Sequence, residues 1–343
     1  WVALSYCWGG EPSLKLTKLT IRTLTQGIPL DRFEATIRDA ILVTRGLGIT
    51  YLWVDALCIF QDEDSSDWNE QSSKMSEIYG GSTVTIVAAD SSSVTEGFLQ
   101  QRELQYIAMD WLPSTMFSDK SQLNTDTRHV YLSPSWNPDK DKMVGPWSKR
   151  GWTMQEGLLP NRLLFYTSYQ MAWKCRTVIK YERGAACEPS AEVIRGESIS
   201  ERYRLWYELV EDYTPRHFKY IQDRLIAISG LAKIFGDLIS DQYFAGLWKR
   251  DMVRGLVWHA SGAKLIPNNS TDNPSFHVNT APSWSWASVG SNVAVVNDHA
   301  DQDGFRALAK IEDVEVELVN PSNPFGAANA GSVIITGPLA RLS

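Results

Sequence analysis

Two carboxylates stand where chemistry is most readily imagined. Glu156 closes the segment Arg150–Glu156 (RGWTMQE). A helix opening at Gly151 places Trp152 and Glu156 on one face, four residues apart, with Gln155 beside them and Arg150 just ahead. An aromatic ring, an amide and a carboxylate together suit a nucleotide-like small molecule, and the carboxylate can steady a developing sugar cation. The same residues equally describe an Arg150–carboxylate clamp that packs this segment against a sheet. Asp55 sits within an apolar run, Trp53–Ile59 (WVDALCI). A buried carboxylate is costly unless it is bonded, so Asp55 reads first as an acceptor that holds the fold. Its second reading is a group at a strand's carboxyl end that binds ribose hydroxyls. Of the two, Glu156 is the favoured catalytic carboxylate, because a helix start is more open to solvent than a buried strand.

Around these lie weaker signals. Tyr6 and Trp8 alternate along a strand end, and either can stack on a flat ring or simply pack. Ser5 and Gln61 carry hydrogen-bonding groups at the same strand ends. Cys7 and Cys58 raise a thiol nucleophile, which needs a histidine base. The five histidines, His129, His217, His259, His277 and His299, lie away from both thiols in sequence. Buried cysteines in apolar strands are normally inert, so a thiol hydrolase is disfavoured. No pattern with metal-ligand spacing and no glycine-rich phosphate loop is present, so no metal and no bound cofactor are expected.

The elements that must position these groups alternate. Trp1–Trp8 (WVALSYCW) is an apolar strand closed by Gly9-Gly10. A helix follows, with Asp31 and Glu34 at capping-box spacing and Phe33, Ile37, Ala40, Ile41 and Thr44 on one face. Tyr51–Ile59 reads as a second buried strand. Asp67 and Glu70 open another helix, whose face is Trp68, Met75, Ile78 and Tyr79. Thr83–Ala89 is a third strand. Strand, helix, strand, helix, strand predicts a parallel sheet, with ligands at the strands' carboxyl ends. Tyr6–Gly10, Asp55–Gln61 and the Glu156 segment should therefore meet there. Farther on, strands are expected at 106–111 and 129–132, a short helix at 151–159 and a hairpin over 163–175. The second half should hold three helices (around 203–210, 224–239 and 241–259), then strands around 283–296, 309–318 and 332–335.

The whole composition bounds the function. With 343 residues, 43% hydrophobic and 21% charged, the chain can bury a core of two domains. A net charge of -7 is a poor match for nucleic acid. No apolar run approaches the roughly 20 residues of a membrane span, and the first residues do not read as a secretory signal. The chain starts at Trp1, inside a motif, which suggests that residues precede it. Four cysteines without C-x-x-C pairing suggest reduced thiols in the cytoplasm.

Three blocks carry a family resemblance: Ala3–Gly9 (ALSYCWG), Tyr51–Ala89 (YLWVDALCIFQDEDSSDW, then MSEIYGGSTVTIVAA) and Arg150–Arg162 (RGWTMQEGLLPNR). In type, order and spacing they resemble the fungal heterokaryon-incompatibility (HET) domain. Gly80-Gly81 departs from it, where a small apolar residue often follows Ile-Tyr. Asp223–Ala232 (DRLIAISGLA), Tyr243–Trp248 (YFAGLW) and Pro282–Ser288 (PSWSWAS) resemble the extension such proteins carry. The resemblance implies a HET domain over 1–178, as a parallel-sheet α/β fold of Toll/interleukin-1 receptor-like or flavodoxin-like type with insertions. A helical and β-strand extension over 190–343 would follow. It implies a cytoplasmic role in self/non-self recognition and programmed cell death. By analogy of fold it also implies NAD as a substrate, with Glu156 and Asp55 catalytic and Ser5, Tyr6, Trp8, Gln61, Arg150, Trp152 and Gln155 binding. Two alternatives remain at this point: a non-catalytic module acting by self-association or through another signalling protein, and an enzyme recruited to other small-molecule chemistry.

Overall fold

The computed structural model describes residues 1–62, 66–102, 107–111, 128–132, 145–182, 186–187, 198–261, 281–289, 294–297 and 305–339. Its first half contains β1 (Val2–Ser5), α1 (Ile21–Gln26), α2 (Ala35–Gly46), β2 (Leu52–Trp53), α3 (Asp55–Cys58), α4 (Ser66–Gly80) and β3 (Val84–Ala88). Then come β4 (Ile107–Trp111), β5 (Arg128–Leu132), α5 (Thr153–Leu158), β6 (Arg162–Tyr166), β7 (Met171–Cys175), β8 (Ile179–Tyr181) and β9 (Ala186–Cys187). The main sheet runs β2-β1-β3-β6-β7-β8-β9. The pairs among β2, β1, β3 and β6 are parallel, and those from β6 to β9 are antiparallel. The chain is thus mixed α/β, and its sheet continues past residue 178 to Cys187.

Two-residue periodicity sorts β1 between two layers. Val2, Leu4 and Tyr6 join Ile37 and Ala40 of α2 in one core cluster. Ala3 instead packs with Ile59 and with Met75 and Tyr79 of α4. β1 is buried on both faces, as a continuous apolar run in a parallel sheet should be. The buried Ile37, Ala40 and Thr44 bear out the apolar face read for α2, and Gly48 follows its end at φ 71°.

Tyr51–Ile59 is not one strand. The ladder with β1 stops after Leu52 and Trp53, and the chain turns into α3, with Cys58 N–H bonded to Val54 O and Ile59 N–H to Asp55 O. The carboxyl of Asp55 then accepts from the Ala56 amide at 2.7 Å. A strand ladder offers a side chain no such amide. Asp67 does not close a box with Glu70 but accepts from the Phe60 amide at 2.9 Å.

The second half contains α6 (Ile199–Tyr213), α7 (Asp223–Ile226), α8 (Ser229–Ile239), β10 (Tyr243–Phe244), β11 (Leu247–Trp248), α9 (Met252–Gly255), β12 (His259–Ser261), β13 (Ala294–Val296), β14 (Lys310–Leu318) and β15 (Ala328–Thr336). Tyr203, Trp206, Tyr207 and Val210 of α6 are buried, as their spacing required. The helix expected over 224–239 is broken between Ile226 and Ser229. The one expected over 241–259 is mostly absent. Ala245 at φ 43° and Gly246 at φ 102° turn the chain between β10 and β11 instead. Around 283–289 the chain forms a short 3-10 turn, Trp286–Ser288, rather than a strand. β14 and β15 cover the strands expected around 309–318 and 332–335, and they pair antiparallel.

Candidate functional site

The three blocks converge at the carboxyl tip of β1. On the face toward α4 and α5, the Ser5 hydroxyl donates to Glu156 and accepts from the Trp147 indole N–H at 2.5 Å. Ser5 has no exposed surface and Glu156 is 8% exposed. Burial pushes the Glu156 carboxyl up to about 7, against the opposing pull of Arg150 and of the Ser5 hydrogen bond; the negative Asp55 adds to the rise. Beneath them the Tyr79 hydroxyl donates to the Leu4 carbonyl at 3.1 Å.

Around the tip lies the second carboxylate. Asp55 accepts from the Trp8 indole N–H at 2.9 Å as well as from its neighbouring amide. Burial raises its pKa, and the charge of Arg150 works against that rise. Tyr6 faces it, and burial together with the Asp55 charge raises the phenol well above its ordinary value. Because Ser5 and Tyr6 project to opposite faces, Glu156 and Asp55 flank the strand end rather than standing side by side. Arg150 spans the two. Its guanidinium donates to the Tyr6 carbonyl, and its positive charge acts on Glu156, Cys7 and Asp55. This replaces a direct carboxylate clamp with an arginine that ties the tip of β1 to the α5 segment.

Two residues expected here serve elsewhere. Trp152 stands one helical turn from Glu156, but its polar group is used elsewhere: its indole N–H donates to Asp223 of α7 at 3.1 Å, and its ring meets Trp68 edge-on. The Gln61 amide donates to the carbonyls of Ile59 and Asp55, which makes it a loop brace. Gln155 lies beside Glu156 but is 1% exposed and packs toward Gly230 of α8. Cys58 is exposed on α3 rather than in a strand, and Cys7 is buried after β1. Burial raises the Cys7 thiol, which opposes nucleophilic use. Trp147 and Tyr79 complete the cluster; Trp147 was not singled out in the sequence, and Tyr79 was read there only as part of a helix face. Trp147 lies three residues before Arg150, just outside the recognisable block.

The surroundings are tight. Gly9 has φ 70°, and a Cβ there would lie 2.5 Å from Ser93 Cα. The loop after β1 therefore presses on the loop after β3, joined by Val94 N–H to Trp8 O at 3.0 Å. Among the described residues no group of three or more His, Cys, Asp or Glu side chains could hold a metal ion, and no helix is long and apolar enough to cross a membrane.

Residues 1–156 match the family model described as heterokaryon incompatibility protein (HET), so this part of the chain is a HET domain. No curated protein and no solved structure matches the chain. The match ends at Glu156 and so takes in Ser5, Tyr6, Trp8, Asp55, Trp147, Arg150 and Glu156.

Proposed function

We propose that this HET-domain protein acts in the cytoplasm in fungal self/non-self recognition and programmed cell death, by hydrolysing the nicotinamide–ribose bond of NAD. The observation that supports it most is the gathering of Glu156, Asp55 and Arg150 from three distant segments at one strand tip. The parallel strands run β2-β1-β3-β6, the order of flavodoxin-like sheets, and so support the flavodoxin-like or Toll/interleukin-1 receptor-like reading. In such sheets ligands bind outside the strands' carboxyl ends, at the point where the order reverses, here between β1 and β3.

In this reading the C1′–N bond breaks with its electron pair going to the pyridinium nitrogen, and neutral nicotinamide leaves. The ionised Glu156 carboxylate steadies the sugar cation. Water adds to C1′ and gives up its proton to the carboxylate. Asp55, bound to the Trp8 indole, holds that half-buried ring at the rim, where it stacks on the base. Arg150 tempers the repulsion between the two carboxylates.

The test is incubation of purified protein with NAD, following nicotinamide release against pH. With Glu156 near 7, release should rise with pH through about 7 as the carboxylate ionises. A protein that triggers death in cells yet releases no nicotinamide would instead be a signalling or self-associating module. Turnover of other small molecules but not NAD would point to recruited chemistry.

A further inference from the structure

The residues proposed to act on substrate lie in a segment held by the second half of the chain. The loop between α6 and α7 is cinched at its base: Arg224 donates to the Thr214 carbonyl at 2.9 Å, and the Tyr213 hydroxyl donates to the Arg224 carbonyl at 2.5 Å. Arg224 also donates to the carbonyl of Val289, which fixes this base to the second-half core. From that closed base the loop reaches across to the first half.

There it grips the chain on both sides of Arg150. His217 N–H bonds Lys149 O at 2.7 Å, and Gly151 N–H bonds His217 O at 2.9 Å, so the two segments run as a one-rung parallel bridge. The Phe218 ring lies so close that a Cβ on Gly151 would stand 2.0 Å from it. Its other side meets the Tyr213 ring at 5.4 Å between centroids. Beyond it, Asp223 accepts from the Trp152 indole. Lys219 pairs with Glu11 at 2.7 Å in the loop that follows β1, although an exposed pair adds little.

We infer that the 217–223 segment is a brace that positions Arg150 and Glu156, with Phe218 and Asp223 as its positioning residues, so that the site at the tip of β1 is built by both halves of the chain. The backbone bridge fixes Arg150, which bonds the Tyr6 carbonyl. The Trp152–Asp223 bond fixes the start of α5, one turn before Glu156. A carboxylate's environment changes steeply with small displacements, so loosening the brace should be felt at Glu156 before the fold is lost.

The inference rests on the hydrolase reading only for its activity arm. The primary readout is the indole 15N–1H resonance of Trp147 in the full chain, which senses Glu156 through the Ser5 hydroxyl. The groups acting on Glu156 are Arg150, Ser5, Asp55 and Tyr79. In the parent, this resonance should titrate with a midpoint of about 7. In Phe218→Ala, the bridge that holds Arg150 loosens, its pull on the carboxyl weakens, and the midpoint should rise by more than about half a pH unit. Trp152→Phe keeps an aromatic side chain, smaller than the indole, and loses the N–H bonded to Asp223, and should shift it in the same direction by less. An unchanged midpoint in folded Phe218→Ala overturns the brace; should that variant not fold, an unchanged midpoint in Trp152→Phe does so. Nicotinamide release should fall alongside the shift. A parent without release but with the shifts intact would count against the hydrolase reading while supporting the brace.

Discussion

Glu156 is a carboxyl whose surroundings disfavour its charge, and that has a thermodynamic signature independent of any substrate. Its pKa rises from an ordinary 4.5 to about 7 on folding, so the native state binds more protons than the unfolded chain between those values. Its contribution to stability is full below about 4.5 and is lost as pH rises through about 7, a swing on the order of 3 kcal/mol. Asp223, raised from 3.8 to about 6 by burial, adds a slope of the same sign at lower pH. Melting temperature should therefore decline from pH 4.5 to 7 in the parent, and less so in Glu156→Gln, which cannot ionise. Equal slopes in the two proteins would show that Glu156 is not the group responsible. Asp55 calls for a different test, because its carboxyl is occupied by the Trp8 indole and the Ala56 amide. Asp55→Ala should cost about 1–3 kcal/mol by chemical denaturation, as both donors lose their acceptor. An unchanged midpoint would release Asp55 from a structural role.

At the scale of elements, close approach rather than propensity fixes the decisive geometry. Gly246 turns β10 into β11 with φ 102°, and a Cβ there would lie 2.4 Å from the Trp286 indole nitrogen. Gly246→Ala should therefore lower stability by about 2 kcal/mol or more, measured by denaturant unfolding; a neutral outcome would mean that Trp286 can yield. That turn also shows why the helix expected over 241–259 is mostly absent: Tyr243–Trp248 has no strict period, and its turn is recognisable only through Gly246. In the first ninety residues β1, α2, α4 and β3 were legible because their apolar runs and helical faces are long enough to be unambiguous. Asp55 misled because an apolar run surrounds it, and no periodicity distinguishes a strand end from the first turn of a four-residue helix. The meeting of Ser5, Asp55 and Glu156 was readable from sheet logic. Their division between two faces was not, since it depends on how far the alternation of β1 persists past Ser5. Trp152 could not be assigned to Asp223, because that bond joins the two halves over a separation of 71 residues.

For the whole molecule, the HET-matched segment supplies the chemical groups, and the second half supplies the loop that holds their backbone. Cleavage of NAD, as proposed, depends on the charge that Glu156 carries at the tip of β1. The most direct measurement is nicotinamide release by the full chain and by Glu156→Gln, under identical conditions above pH 7, with thermal melting recorded for both. The amide keeps the shape and can still accept from the Ser5 hydroxyl, while the negative charge is gone. The parent should release nicotinamide, the variant should lose about a hundredfold or more of that rate, and the variant should still melt cooperatively. A folded variant with undiminished release, or a parent that leaves NAD intact, would contradict the proposal.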